Sequence, residues 1–370
     1  MNIACDARAL VGRQTGVGTW TTQVMAGLAA DPSTRILLGA SKALDLPEAL
    51  HLPNVSVLPR PRLPLPGSLW LHLALPAALQ RAQADIFIGS LAMVPRRSAV
   101  PGIAMVHDVT PRTHPERHTL KTRWTFNPFI KGSLERARAV VVGSEATRSE
   151  VLEHFPWVHD RLHLIGYGVD QFFSPTEDAN ESDRTRREFA DGKPYILHLG
   201  TLEPRKGLLT LVEAWDRLNE TMSDAPSLVL AGSEGWDIGP LVERINRSPH
   251  AARIHRPGYV TRDQARALMR HTDAFVLASE AEGFGLPLAE AIACGAPCIA
   301  SDIPALRESG AGAALFTPAG DSEALTQAIA RTLEPETAYA MREASAGRGS
   351  ALSWAPIIDQ WRELIEVVVW

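Results

Sequence analysis

Short apolar and β-branched runs recur through the first half of the chain, at residues 3–5, 35–38, 55–58, 85–88, 103–107, 139–142 and 162–165, with longer stretches of helical spacing between them. Runs of this length, apolar throughout and separated by helices, predict parallel strands joined by crossover helices. The alternation stops at residues 175–183, a polar and acidic stretch without apolar periodicity, which reads as an exposed linker. A second series follows at residues 195–199, 228–231, 273–277, 297–300 and 313–316. After its first strand, Leu208, Leu211, Val212, Trp215 and Leu218 fall on the i, i+3, i+4, i+7 stripe of an amphipathic helix. The pattern therefore predicts two doubly wound α/β domains in tandem. Such sheets bind ligands beyond the carboxyl ends of their strands, so the chemistry is expected there, in a cleft between the two.

Length and composition agree with this reading. The 370 residues suit two domains, and 45% hydrophobic with 21% charged residues is the usage of a folded globular chain. A net charge of -5 gives no general attraction to nucleic acid. Cys5, Cys294 and Cys298 are too few for a disulfide framework, and Cys294 and Cys298 lack nearby zinc-ligand partners, so all three read as small buried residues. The first residues enter a strand without the basic and apolar regions of a signal peptide, and the longest apolar stretch, residues 63–79, is broken by Pro64, Pro66, His72 and Pro76. A cytoplasmic location is expected.

The most informative segment follows the strand at residues 273–277: Glu282-Gly283-Phe284-Gly285-Leu286-Pro287, then Glu290. Pro287 suits the first turn of a helix and Gly295 the position just past its end, which predicts a helix over residues 287–294. Glu282 then lies in a glycine-rich loop, and the Glu290 side chain, early in the helix, tilts back toward that loop. Carboxylates accept from sugar and ribose hydroxyls, while glycine N–H groups and a helix start suit phosphate oxygens.

This segment resembles the Glu-x7-Glu signature of the retaining glycosyltransferases of family 4, and the resemblance covers most of the chain. Residues 200–207, Gly-Thr-Leu-Glu-Pro-Arg-Lys-Gly, are similar to the family's phosphate loop, Gly258-Tyr259-Val260 to its nucleotide-side turn, and residues 295–301 to its next strand. Asp6-Ala7-Arg8 with Thr15-Gly16-Val17-Gly18 is similar to its opening strand and loop, and Val106-His107-Asp108 to its His-Asp strand end. The resemblance implies the GT-B fold, two Rossmann-like domains at residues 1–175 and 176–352, with a final helix at 353–370 bearing Trp354, Trp361 and Leu364 that packs back on the first domain. It implies a nucleotide-sugar donor and retention of anomeric configuration.

The implied catalytic set is His107, Glu282, Lys206 and Arg205. Donor-binding positions are Gly16, Gly18, Gly200, Thr201, Tyr259, Val260, Gly283, Phe284, Gly285, Leu286 and Glu290, with Glu282 and His107 on the sugar and Glu290 on the ribose. Thr201 stands where many members carry arginine, which leaves the diphosphate to Lys206 and Arg205. Catalysis here means stabilising charge on a departing diphosphate, which a metal or cations achieve. The chain holds no Asp-x-Asp, and the paired cations predict a reaction without metal or other cofactor. Residues 200–206 are most similar to a subgroup containing bacterial mannosyltransferases, which points to GDP-mannose. The expected acceptor is a glycan or a lipid-diphosphate-linked glycan.

Between Arg96 and Arg138 stand nine Lys or Arg (Arg96, Arg97, Arg112, Arg117, Lys121, Arg123, Lys131, Arg136, Arg138) against three acids, interrupted by Trp124, Phe126 and Phe129. Two readings stand: a solvated basic helix with aromatics turned inward, or a surface for anionic lipid at the inner membrane face. Other functions on the same architecture are a nucleotide-sugar epimerase and a non-catalytic nucleotide-sugar binding protein. The Glu-x7-Glu arrangement fits transfer better than epimerisation, and a mere binder is expected to have lost Glu282 or Lys206. A nicotinamide oxidoreductase needs a third glycine after Gly16-Val17-Gly18, where Trp20 and Thr21 stand.

Overall fold

The computed structural model describes residues 1–12, 15–60, 65–117, 119–175, 178–349 and 351–370. The chain divides into two compact units, Met1–Gly168 with Trp354–Trp370, and Val169–Ser353.

The first unit is built on β1 (Asn2–Asp6), β2 (Arg35–Gly39), β3 (Val55–Val57), β4 (Ile86–Gly89), β5 (Gly102–Val106), β6 (Ala139–Val142) and β7 (Leu162–Leu164), in the order β3-β2-β1-β4-β5-β6-β7 and parallel throughout. All seven lie within one or two residues of the apolar runs. The central strands are buried on both faces, with Phe87, Val106 and Val140 packed on Leu71, Ile130 and Leu134. The order reverses between β1 and β4, the switch point at which open parallel sheets leave a crevice. The C-terminal helix Trp354–Val369 belongs to this unit and packs on the helix Gly16–Ala29, with Trp361 fully buried against Trp20 at 5.5 Å between ring centres. Gly27 makes this contact close, because a Cβ there would meet Ile358 at 2.6 Å.

The second unit is built on β8 (Tyr195–Leu199), β9 (Ser227–Ala231), β10 (Ile254–Gly258), β11 (Ala274–Leu277), β12 (Cys298–Ser301) and β13 (Ala314–Thr317), in the order β10-β9-β8-β11-β12-β13 and again parallel. Leu208, Leu211, Val212, Trp215 and Leu218 are all buried along the helix Leu208–Thr221, as their spacing requires. Each contributes about 1.5 to 3 kcal/mol by leaving water. The strand β10 went unread in the sequence because Ile-His-Arg-Pro-Gly lacks an apolar run. It is an edge strand whose register shifts between His255 and Gly258, a setting that tolerates Pro257 without its N–H.

The linker reading of residues 175–183 is corrected. Ala179–Phe189 is a helix, capped by Asp178 accepting from the N–H of Asn180. It is tied to its own unit through Glu181, which pairs with Arg270 at 3.2 Å and lies 2.8 Å from the His271 ring. An acidic stretch without periodicity was held by ion pairs that periodicity does not register.

Gly168 marks the return of the chain. A Cβ there would lie 2.6 Å from the backbone nitrogen of Trp354, a contact no side-chain rotation relieves. Gly168→Ala is expected to destabilise the seating of the last helix by about 1 to 3 kcal/mol, read as a lowered urea midpoint and faster proteolysis near Trp354. Gly347→Ala, in a helix with nothing within 4 Å of the added carbon, is expected to hold or raise the midpoint.

Candidate active site

Two loops flank the β8/β11 switch point. The first leaves β8 at Gly200, passes a short 3-10 turn Pro204–Lys206 and enters the helix Leu208–Thr221 through Gly207. The second leaves β11, passes Ser279 and Glu282, and enters the helix Leu286–Ala293 through Gly285. Both entry glycines are left-handed, at φ 63° and 91°. At Gly207 a Cβ would lie 2.0 Å from the carbonyl oxygen of Ala278, so only glycine lets the first loop close on the second. The Glu280 N–H completes the join at 2.8 Å from the Arg205 carbonyl oxygen.

Glu282 is the centre of the cluster. Arg205 donates to its Oε2 at 2.9 Å, Ser279 donates to Oε1 at 2.8 Å, and Lys206 donates to Oε1 as well. Arg205 also donates to the Ala281 carbonyl at 3.0 Å and pairs with Glu203 at 2.6 Å. Burial alone raises the Glu282 carboxyl, yet Lys206 and Arg205 outweigh it and hold the group at about 2. Burial lowers the Lys206 ammonium, and Glu282 opposes that. Both side chains of the Glu282–Lys206 pair are nearly out of solvent, 9% and 6% exposed. Ser279 and Glu203 were missed as partners, because a serine and an extra glutamate carry no pattern of their own.

Glu290, on the helix Leu286–Ala293, is in a different setting. Burial pushes its carboxyl up to about 8, with nearby Arg262 opposing and Asp170 adding to the rise. The proposed nucleotide-side residues are drawn together by backbone. Gly200 donates to Ala231 at 3.0 Å, and Gly232 donates to Gly258 at 2.8 Å, beside exposed Tyr259 and buried Val260. A Cβ at Gly232 would fall 1.9 Å from the Gly200 oxygen, so three strand ends stack edge to edge. Thr201 follows Gly200 in this stack, and Gly283, Phe284, Gly285 and Leu286 form the turn into the helix after β11.

In the first unit, His107 follows β5. Its Nδ1 lies 2.8 Å from the Tyr167 hydroxyl, the Trp20 edge abuts the ring at 5.1 Å, and the Ser90 backbone also bears on the ring. Burial lowers the imidazole to about 4 against the pull of Asp108, so it is neutral near pH 7. Asp108 itself accepts from the N–H and hydroxyl of Thr110. The reading of Gly16-Val17-Gly18 as a loop is corrected: they form the first turn of the helix Gly16–Ala29, with Gly18 buried. Asp6, completely buried, holds Arg8 at 2.6 Å and takes the Ser90 hydroxyl on its backbone oxygen at 2.6 Å, which joins β1 to β4 across the switch point. Along the basic stretch, Phe126 and Phe129 pack on the core, while the side chains of Arg117, Lys121, Arg123 and Trp124 lie outside the described residues.

Two parallel sheets with loops at their switch points give the GT-B fold. The Anabaena protein HepE in complex with UDP-glucose shares it, with a TM-score of 0.77 at 20% identity over 99% of each chain. Family models match on either side of residues 172–178, glycosyltransferase family 4 over residues 15–171 and glycosyl transferases group 1 over residues 179–348, and the chain belongs to this glycosyltransferase family. It is similar to the Escherichia coli O-antigen chain mannosyltransferase B, 29% identical over 67% of this chain and 65% of that one. It is also similar to the serotype-specific mannosyltransferase WbdA of the same species, 30% identical over 68% of this chain and 32% of that one. The chain thus spans less than two thirds of either relative.

Two predictions follow from the buried charges. Removing one partner of a buried pair strands the other, so Glu282→Ala and Lys206→Ala are each expected to cost up to about 3 to 5 kcal/mol in urea unfolding. The joint Glu282→Gln, Lys206→Met variant is expected to recover most of that loss. Glu290 is raised from 4.5 to about 8, so the folded state holds its proton while the unfolded state releases it. Its contribution is complete below pH 4.5 and is lost as pH rises through 8. Comparing unfolding at pH 5 and pH 8.5, Glu290→Gln is expected to show a smaller fall than the wild type, and an equal fall refutes the assignment.

Proposed function

We propose that the protein is a retaining, metal-independent hexosyltransferase that moves a sugar from a nucleotide-sugar, with GDP-mannose the first candidate, to a glycan or lipid-linked glycan during surface polysaccharide synthesis. The observation that carries this is the joined cluster of Arg205, Lys206 and Glu282 at the β8/β11 switch point. Two cations held by a short, glycine-closed loop suit the diphosphate of a donor, the role a metal ion plays elsewhere. Glu282 is ionised throughout the physiological range and accepts from donor-sugar hydroxyls. Neutral His107 is the second proposed sugar contact. A carboxyl at Glu290 that ribose hydroxyls ionise releases a proton as the nucleotide binds. The mannosyltransferase names of the similar proteins support mannose, and an O-antigen chain is a surface glycan.

The test incubates the purified chain with GDP-mannose, UDP-glucose, ADP-glucose or dTDP-glucose and with soluble or lipid-diphosphate-linked glycans, after exhaustive EDTA treatment. Product from GDP-mannose that keeps the α configuration by NMR, undiminished by EDTA, is the expected result. A strict need for added manganese or magnesium refutes metal independence. Inversion refutes retention, and transfer from another donor alone refutes mannose.

A further inference from the structure

His198, the fourth residue of β8, is completely buried beneath the first of the two loops. Its Nδ1 lies 3.2 Å from the carbonyl oxygen of Val276 on β11. A carbonyl can only accept, so Nδ1 carries the proton and Nε2 presents a lone pair. That Nε2 is buried and has no partner among the described residues. Gly200 shows where it points, because a Cβ built there would lie 3.5 Å from Nε2 and 3.9 Å from Cε of Lys206. The imidazole and the lysine stem thus border the same side-chain-sized space, which glycine leaves open. Burial, then the Lys206 charge, lower His198 to about 4, so the ring stays a neutral acceptor although Glu282 pulls the other way.

We propose that His198 is a positioning residue for Lys206, its Nε2 serving as a second acceptor that takes one N–H of the ammonium as Lys206 turns from Glu282 toward a donor phosphate. An ammonium has three N–H groups and Glu282 Oε1 takes one. A second carboxylate behind the lysine would cancel the charge that a diphosphate needs. A neutral ring nitrogen steadies the ammonium and leaves that charge intact. The inference rests on the reading of this loop as the donor-phosphate site.

The experiment measures binding of GDP and UDP to the 370-residue chain by calorimetry, for wild type, His198→Asn, Lys206→Met and the double variant. Asparagine keeps a donor for the Val276 carbonyl and deletes only the Nε2 acceptor. Whichever diphosphate the wild type binds is expected to bind His198→Asn about tenfold more weakly, the scale of one charge-assisted hydrogen bond. In the Lys206→Met background the same substitution is expected to change nothing, which a purely structural role would not produce. On the unmutated chain, imidazole nitrogen NMR is expected to show the His198 Nε2 resonance move on GDP or UDP addition while Nδ1 stays. Equal binding by wild type and His198→Asn, the same loss in both backgrounds, or an unmoved Nε2 resonance overturns the inference and leaves the site reading intact. Failure of the wild type to bind either diphosphate removes the site reading and the inference with it.

Discussion

One carboxylate holds the β8/β11 end of the second unit together. Glu282 takes hydrogen bonds from Arg205, Lys206 and Ser279 at once, joining loops that leave β8 and β11. With Glu203 on Arg205, the cluster sets two cations against two carboxylates and is formally balanced. The desolvation of buried Lys206 and half-buried Arg205 is therefore met by carboxylates of the same cluster. Under the proposed function, a diphosphate enters by exchange, taking over from Glu282 cations that are already gathered at one strand end. That preorganisation is how fixed charges stabilise a departing group without reorganising during the reaction.

The architecture was legible because parallel strands are written as short apolar runs, and twelve of the thirteen described strands announce themselves that way. The exception, β10, is polar and carries Pro257, and its place is set by pairing with β9 rather than by its own composition. The helix Ala179–Phe189 escaped for a related reason, since Glu181 finds Arg270 and His271 far along the chain.

The candidate site divides along the same line. Glu282, Lys206 and Arg205 were readable because glycine, proline and charge stand at a strand end in a compact motif. That they neutralise one another out of solvent is a fact of packing, set by the Gly207 and Ala278 approach, and no local pattern carries it. His198 was invisible for the opposite reason, because a histidine inside an apolar strand reads as ordinary core. Gly16 and Gly18 illustrate a third case: glycines suggested a loop, while Trp20, Val24 and Met25 buried beneath them made a helix.

The route of the chain has a further consequence. Val169 donates to the Leu352 carbonyl at 2.9 Å and bridges Ser353, so the second unit begins and ends at one point, and the last helix returns to the first unit from there. While the second unit is folded, residues 168 and 354 are neighbours, and holding the last helix in place closes almost no loop. If the second unit unfolds, the same helix tethers a slack of residues 169–353, and its attachment must bear the closure entropy of that whole segment. Trp361 against Trp20 is thereby a reporter of the other unit's integrity, and loss of order in residues 169–353 loosens the helix Trp354–Val369.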